Sequence, residues 1–299
     1  MAVFGATGPE AGVAGAGLRP ASVSVMHPPH LVALDIDGTL LTHEGELRPA
    51  VHDAVAATAA AGHQIVIATG RSVLGTLPVL ARLGIERGYA VCSNGAVTID
   101  LDPALPSGYE VIEAVTFDPG PALTLLHDAW PDAVVAVEDL GVGFKVSAPF
   151  PDPLEGVVTI VPWEELLADP VTRVTFRSPT GTSDDFVELT HRIGLHGVNY
   201  AVGFSAWLDI NPEGVSKGSA LELIRRRLSI QPMHTVAIGD QRNDLEMLRW
   251  AARGVAMGNA PEEVREVADE VTASVYDDGA PAVLLTLPGV ARGSEVASC

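Results

Sequence analysis

Apolar and polar positions along this chain fall into short runs separated by polar punctuation. Leu31 to Leu34 is unbroken apolar sequence, and the stretch to Leu41 reads Leu-Val-Ala-Leu-Asp-Ile-Asp-Gly-Thr-Leu-Leu, a buried strand ending in two aspartates one residue apart. Leu47 to Ala61 has a helical pattern, with Pro49 near its start and Gly62 at its end, the places where these residues are tolerated best. Gln64 to Ala68 is a second short strand and runs into Thr69-Gly70-Arg71. Ser72 is then placed to cap a helix reaching about Leu83. A third strand, Tyr89 to Cys92, leads to Ser93-Asn94-Gly95.

Strands alternating with helices imply parallel pairing and right-handed crossovers, which gather the strand carboxyl ends on one sheet edge. Asp35, Asp37, Thr69 and Asn94 therefore become neighbours by topology, at the edge where ligands bind in open α/β sheets. From about Ile99 the rhythm changes. β-type runs at Ala133–Val137, Gly143–Val146, Val157–Val161, Val171–Phe176 and Ala206–Ile210 are interrupted by helical patterns near Pro119–Ala129 and Ser183–Ile193. The α/β alternation returns with a helix over Ser216–Leu228, a strand over His234–Ile238, the polar loop Gly239-Asp240-Gln241-Arg242-Asn243-Asp244 and a helix from about Leu245. The fold class read from this pattern is α/β: a Rossmann-like, doubly wound parallel-sheet core with an inserted α+β domain. Its expected parts are a disordered extension over 1–27, core over 28–98, insert over 99–205, core again over 206–287, and a flexible tail over 288–299.

Two carboxylates at the end of an apolar strand lose hydration unless a cation or hydrogen-bond donors replace the water. A hard divalent metal beside an attacking carboxylate would account for them; so would a simple Asp-Gly turn. Composition narrows the remaining classes. The formal net charge of −20 opposes nonspecific attraction to nucleic acid or anionic lipid. No apolar run reaches membrane-spanning length. With only two cysteines, Cys92 and Cys299, neither a disulfide framework nor a thiolate metal site is available, and a reducing cytoplasmic setting is expected. The basic run Arg225-Arg226-Arg227 suits the carboxyl end of a helix. His27-Pro-Pro-His30 reads as surface sequence rather than a zinc site, and Gly214-Val-Ser-Lys217 lacks the glycine spacing of a nucleotide-binding P-loop.

Four motifs in order, Asp35-Ile36-Asp37-Gly38-Thr39, Ala68-Thr69-Gly70-Arg71, Lys217 in Val215-Ser216-Lys217-Gly218, and Gly239-Asp240-Gln241-Arg242-Asn243-Asp244, resemble the haloacid dehalogenase superfamily, specifically its Cof-type phosphatase branch with a large cap. The likeness extends over about residues 30–287 and includes Gly254 to Ala260 and Asp278-Gly279. It implies that Asp35 is a nucleophile forming an aspartyl-phosphate and that Asp37 is the acid/base. It also implies a magnesium ion held by Asp35, the Asp37 carbonyl, Asp240 and Asp244. Thr69, Lys217 and Asn243 would contact phosphate. Arg71 and Asn94 either face substrate or tie loops together.

The expected activity is hydrolysis of a small phosphorylated metabolite, with sugar phosphates the first class to test. A phosphomutase or phosphotransferase, and a phosphometabolite-binding regulatory protein without turnover, are the rivals. Substrate selection would lie with the insert, where Glu138, Lys145, Arg173 and Arg177 are places to look. Trp130, Trp163 and Trp207 read as packing residues. Oligomeric state is left open.

Overall fold

The computed structural model describes residues 27–178, 182, 198–202 and 207–291. Strand β1 (Leu31–Leu34) is followed by α1 (Pro49–Ala60), β2 (Gln64–Ala68), α2 (Val73–Arg82), β3 (Gly88–Cys92), β4 (Val97–Leu101) and β5 (Tyr109–Ala114). Next come α3 (Gly120–Ala129), β6 (Val134–Asp139), β7 (Gly143–Val146), β8 (Val157–Ile160), α4 (Trp163–Leu166), β9 (Val174–Arg177), β10 (Val198–Val202) and β11 (Trp207–Pro212). The chain ends in α5 (Lys217–Arg227), β12 (Thr235–Gly239), α6 (Leu245–Trp250), β13 (Arg253–Ala256), α7 (Glu262–Arg265), β14 (Glu270–Val271) and α8 (Gly279–Leu284).

These strands make two sheets, one ordered β14-β13-β12-β1-β2-β3-β4-β5 and the other β10-β11-β9-β6-β7-β8. From β14 to β3 every pairing is parallel, with β1 central between β12 and β2. Alternation along β1 shows why helices cover both faces. Val32 and Leu34 join the layer containing Val51, Val55, Val79 and Leu80 of α1 and α2, whereas Leu31 and Ala33 join the layer containing Leu221 and Ile224 of α5 and Leu248 of α6. Pro49 opens α1, and the Ser72 hydroxyl accepts the Gly75 N–H at 3.1 Å to cap α2. The three arginines occupy the last turn of α5.

The borders of the insert differ from those expected at 98/99 and 205/206. Strands β4 and β5 extend the core sheet antiparallel to β3, burying Val97, Ile99 and Leu101. Strand β11 pairs with β9 and β10 and sends Leu208 and Ile210 into the second domain's own core. A local β pattern shows that a strand forms, but the sheet it joins is decided by which edge is open and which apolar face is left to cover. The chain also stays attached past 287, because the Pro288 carbonyl accepts from His63 Nε2 at 2.9 Å and Val290 packs on the core. His30 is half-buried rather than on the surface, in edge contact with His63 and His234 at ring separations of 5.1 and 5.0 Å. The expected extension over 1–26, the helix over Ser183–Ile193 and the tail over 292–299 lie outside the described residues. No helix among the described residues is long and apolar enough to cross a membrane.

Candidate active site

Chain direction brings the carboxyl ends of β1, β2, β3 and β12 to one edge, and the site is built there. Just beyond β1, the Ile36 carbonyl accepts from the N–H groups of Leu40 and Leu41 at 2.9 and 2.8 Å, which winds the chain tightly back under itself. This turn buries Asp35 and leaves the Asp37 side chain half exposed at the rim. Gly38 sits at φ +83°, and a Cβ there would run into the Asp240 carboxylate, so the turn requires glycine twice over.

Lys217, the first residue of α5, is wholly buried and donates from one ammonium to Asp35 Oδ1 at 2.7 Å and Asp244 Oδ1 at 2.6 Å. A lysine at a helix start opposes the helix dipole, and the two carboxylates supply the compensating charge. Asp244 turns its other oxygen to the N–H groups of Asp240 and Gln241, both at 2.9 Å, so it braces the loop as well as the lysine. Asp240 accepts from Thr39 Oγ1 at 3.3 Å, Gln241 Nε2 at 3.1 Å and Asn259 Nδ2 at 3.1 Å. Asn259 also donates to the Gly38 carbonyl at 2.9 Å, tying the first and last motifs together.

Burial dominates the electrostatics here. It pushes the Asp35 carboxyl well above its usual range against the pull of Lys217, with Asp244 and Asp240 adding to the rise. Burial and then Asp244 raise Asp240 to about 7. Burial alone would lower Lys217, but Asp244 and Asp35 outweigh it and hold the ammonium above its ordinary value. Asp35, Asp240 and Asp244 each bring a carboxylate oxygen within 4.8 Å of the others. Three buried carboxylates against one ammonium leave negative charge uncompensated, and an all-oxygen donor set suits a hard divalent cation. The residues present therefore fit a metal ion.

Asp35, Asp37, Thr69, Arg71 and Asn243 line one cavity of about 700 Å³. Lys217, Asp240 and Asp244 lie beneath it. The Thr69 hydroxyl accepts the Arg71 N–H at 3.1 Å and keeps its own proton for a ligand. Arg71 grips Asp37 with two of its three guanidinium nitrogens, Nε at 2.8 Å and Nη2 at 2.6 Å. The amide of Asn243 donates to Asn94 Oδ1 at 2.9 Å rather than pointing free into the cavity, and Asn94 reaches on to Asn211 at 3.3 Å. Arg71 and Asn94 thus both tie elements together, and Arg71 also lines the cavity.

Among the four insert residues singled out, Arg173 alone lines this cavity. Its Nη1 donates to the Gly70 carbonyl. Glu138 is buried in the seam between the domains, accepting from Ser93 Oγ at 2.6 Å and Thr172 Oγ1 at 3.1 Å. Lys145 pairs with Glu165 at 3.3 Å, and Arg177 with Asp152 at 2.7 Å. Trp130 and Trp163 pack against the second domain's core as expected, whereas Trp207 lines the cavity. Sequence reasoning gave no role to Asn259, Asp209 or Glu155. Asn259 lies within one of the resembling stretches and could have been found there; Asp209 and Glu155 carry no local signal.

A family model described as haloacid dehalogenase-like hydrolase matches residues 32–108 and 158–284. The chain belongs to the haloacid dehalogenase-like hydrolases. It is 29% identical over 269 residues to the pyridoxal phosphate phosphatase YbhA of Escherichia coli (strain K12), covering 81% of this chain and 92% of that protein. It is 29% identical over 247 residues to the HMP-PP phosphatase of Serratia proteamaculans (strain 568), covering 79% and 86%. Among solved structures it is similar to the HAD subclass IIB sugar phosphatase BT4131, with a TM-score of 0.73, 26% identity, and coverage of 86% of this chain and 98% of that one. This family's fold is the α/β core with an inserted second domain described above, and that second domain is its cap.

Proposed function

We propose that the protein is a magnesium-dependent phosphomonoesterase that hydrolyses a small phosphorylated metabolite through a phosphorylated Asp35. The observation that carries this reading is the placement of Asp35 at the cavity floor, with one oxygen held by Lys217 at 2.7 Å and the other left for attack. Asp35 attacks phosphorus while the bond to the leaving oxygen breaks, and the Thr69 hydroxyl and Lys217 ammonium stabilise the negative charge of the transferring group. Asp37 is the one half-exposed carboxyl next to Asp35 and serves as the acid/base. A phosphate entering the cavity competes for the Arg71 guanidinium, and Asp37, released from it and half exposed, takes up a proton from solvent and delivers it to the leaving oxygen. Asp37 then accepts a proton from the water that cleaves the aspartyl-phosphate, and inorganic phosphate departs with Asp35 restored.

Asp35, Asp240 and Asp244, with the Asp37 carbonyl, would hold magnesium, which when bound neutralises charge on the phosphoryl oxygens. Sugar phosphates, pyridoxal phosphate and nucleotides are the substrates to screen, with and without magnesium. Phosphate release that depends on the metal and disappears in Asp35→Asn is expected. Release by Asp35→Asn at the wild-type rate overturns the covalent mechanism.

A further inference from the structure

The cavity wall facing the catalytic carboxylates comes from the cap, and strand alternation determines its chemistry. On β11, Leu208 and Ile210 are fully buried inside the cap, so Trp207, Asp209 and Asn211 share the opposite face, toward the core domain. Asn211 donates to the Ser93 carbonyl at 3.0 Å, which pins this face against the active-site loops. Trp207 and Asp209 line the cavity.

Asp209 is held as a rigid acceptor. Its Oδ1 accepts from Thr175 Oγ1 at 2.8 Å, its direct cross-strand partner on β9, and from Trp207 Nε1 at 2.9 Å. Its Oδ2 has one long contact among the described residues, with Asn94 Nδ2 at 3.5 Å, and so retains capacity to accept from a donor inside the cavity. Trp207 is steadied edge-on by Phe150 at 5.8 Å; Leu154, packed in the same cap cluster as Phe150, and Tyr276 from the core add apolar surface to the cavity lining. Arg173, the one cation that described cap residues bring to this cavity, is turned toward the core, with Nη1 on the Gly70 carbonyl and Nε 3.8 Å from Glu138.

We propose that Trp207 and Asp209 select the leaving group, and that this group is a planar aromatic ring bearing an N–H or O–H donor. The inference rests on the phosphatase reading and adds the substrate class to it. A flat ring matches an aromatic and aliphatic surface, and a ring-borne donor matches the open oxygen of Asp209. A sugar presents hydroxyls that each donate and accept, and the cap wall of carboxylate and apolar groups, its cation already engaged, offers their acceptors few donors. On the cap side a second phosphate would meet Asp209 and Glu155, both negative, and Arg173, which is already engaged with the Gly70 carbonyl.

Steady-state phosphate release by the full chain with magnesium tests this, using pyridoxine 5′-phosphate, benzyl phosphate and glucose 6-phosphate. All three are esters of primary alcohols, which keeps the leaving oxygen comparable. The expected wild-type kcat/KM for pyridoxine 5′-phosphate exceeds that for glucose 6-phosphate by about tenfold or more. Trp207→Leu lowers the ratio of either ring ester to glucose 6-phosphate by about tenfold. Asp209→Asn lowers the ratio of pyridoxine 5′-phosphate to benzyl phosphate by about tenfold. Trp207→Phe, which keeps a ring face, holds the ring-to-sugar ratio within about threefold. Ratios cancel any loss of folded enzyme. A common factor across all three esters in Trp207→Leu and Asp209→Asn, or glucose 6-phosphate as the best wild-type substrate, overturns the selection while the phosphatase reading stands. Release from no ester in the wider screen overturns that reading, and this inference with it.

Discussion

Arg71 binds both carboxylate oxygens of Asp37, at 2.6 and 2.8 Å, across the mouth of the cavity that Asp35 floors. The planar fork matches a carboxylate and would match a phosphate equally well, so on the proposed mechanism one guanidinium would couple substrate arrival to the freedom of the neighbouring acid. Lysine cannot make that two-point contact. Arg71→Lys is therefore expected to lower kcat/KM by about tenfold, mostly through KM, because the charge is kept and the fork is lost. An unchanged KM in steady-state kinetics would remove Arg71 from phosphate binding.

Among the described residues, Lys217 is the only cation paired with the Asp35 and Asp244 carboxylates. Lys217→Met should abolish phosphate release and cost about 3–5 kcal/mol of stability, since it strands buried negative charge without a partner. Urea denaturation in the absence of metal reads the stability loss directly. A variant as stable as the wild type would show that the cluster is hydrated rather than dry.

The raised Asp240 carboxyl sets a pH dependence whose sign can be worked out. Its ordinary value is 3.8 and its folded value about 7, so between these values the folded protein holds a proton that the unfolded chain has lost. The contribution of Asp240 to the stability of the metal-free protein is then fully present below the lower value and is lost as the pH rises through the upper one. A cation that binds the ionised carboxylates opposes this fall. Magnesium should consequently raise the melting temperature more at about pH 8 than at about pH 5.5, and thermal melts with magnesium or a chelator provide the check. An equal rise at both pH values would mean that Asp240 is already ionised at the lower one.

Glu138 in the interdomain seam holds Ser93, Thr172 and the buried Arg173 at one point. Glu138→Ala is expected to cost about 3–5 kcal/mol because Arg173 is left buried without its counter-charge. Ser93→Ala, which removes one neutral donor, should cost about 1 kcal/mol. Equal costs in urea denaturation would mean that the seam is open to water in solution.

Much of the core was legible locally. The apolar run Leu31–Leu34, the cap at Ser72 and the proline at position 49 each act within a few residues, and the elements they specify form where expected. Four spaced motifs pointed to one family because each is a short run of residues, at a strand end or a helix start, that can be read without knowing its partners. The cap was less legible. Strand β11 was recognisable as a strand, whereas β4 and β5 were not singled out, and the sheet each one joins depends on open edges elsewhere in the chain. Trp207 has the same sequence signature whether it packs a core or lines a cavity.

Taken alone, the sequence determined the alternation of strands and helices in the core, the convergence of Asp35, Asp37, Thr69 and Asn94 on one sheet edge, and the paired aspartates placed there. These follow from periodicity and chain direction, which act along the backbone. Only the tertiary structure decided that Lys217 spans 27 positions to Asp244 and 182 to Asp35, that Arg71 holds Asp37, and that Asp209 and Trp207 face the cavity. Those relations arise where separate elements meet, and no local pattern encodes which side chains a packed interface will bring within 3 Å of each other.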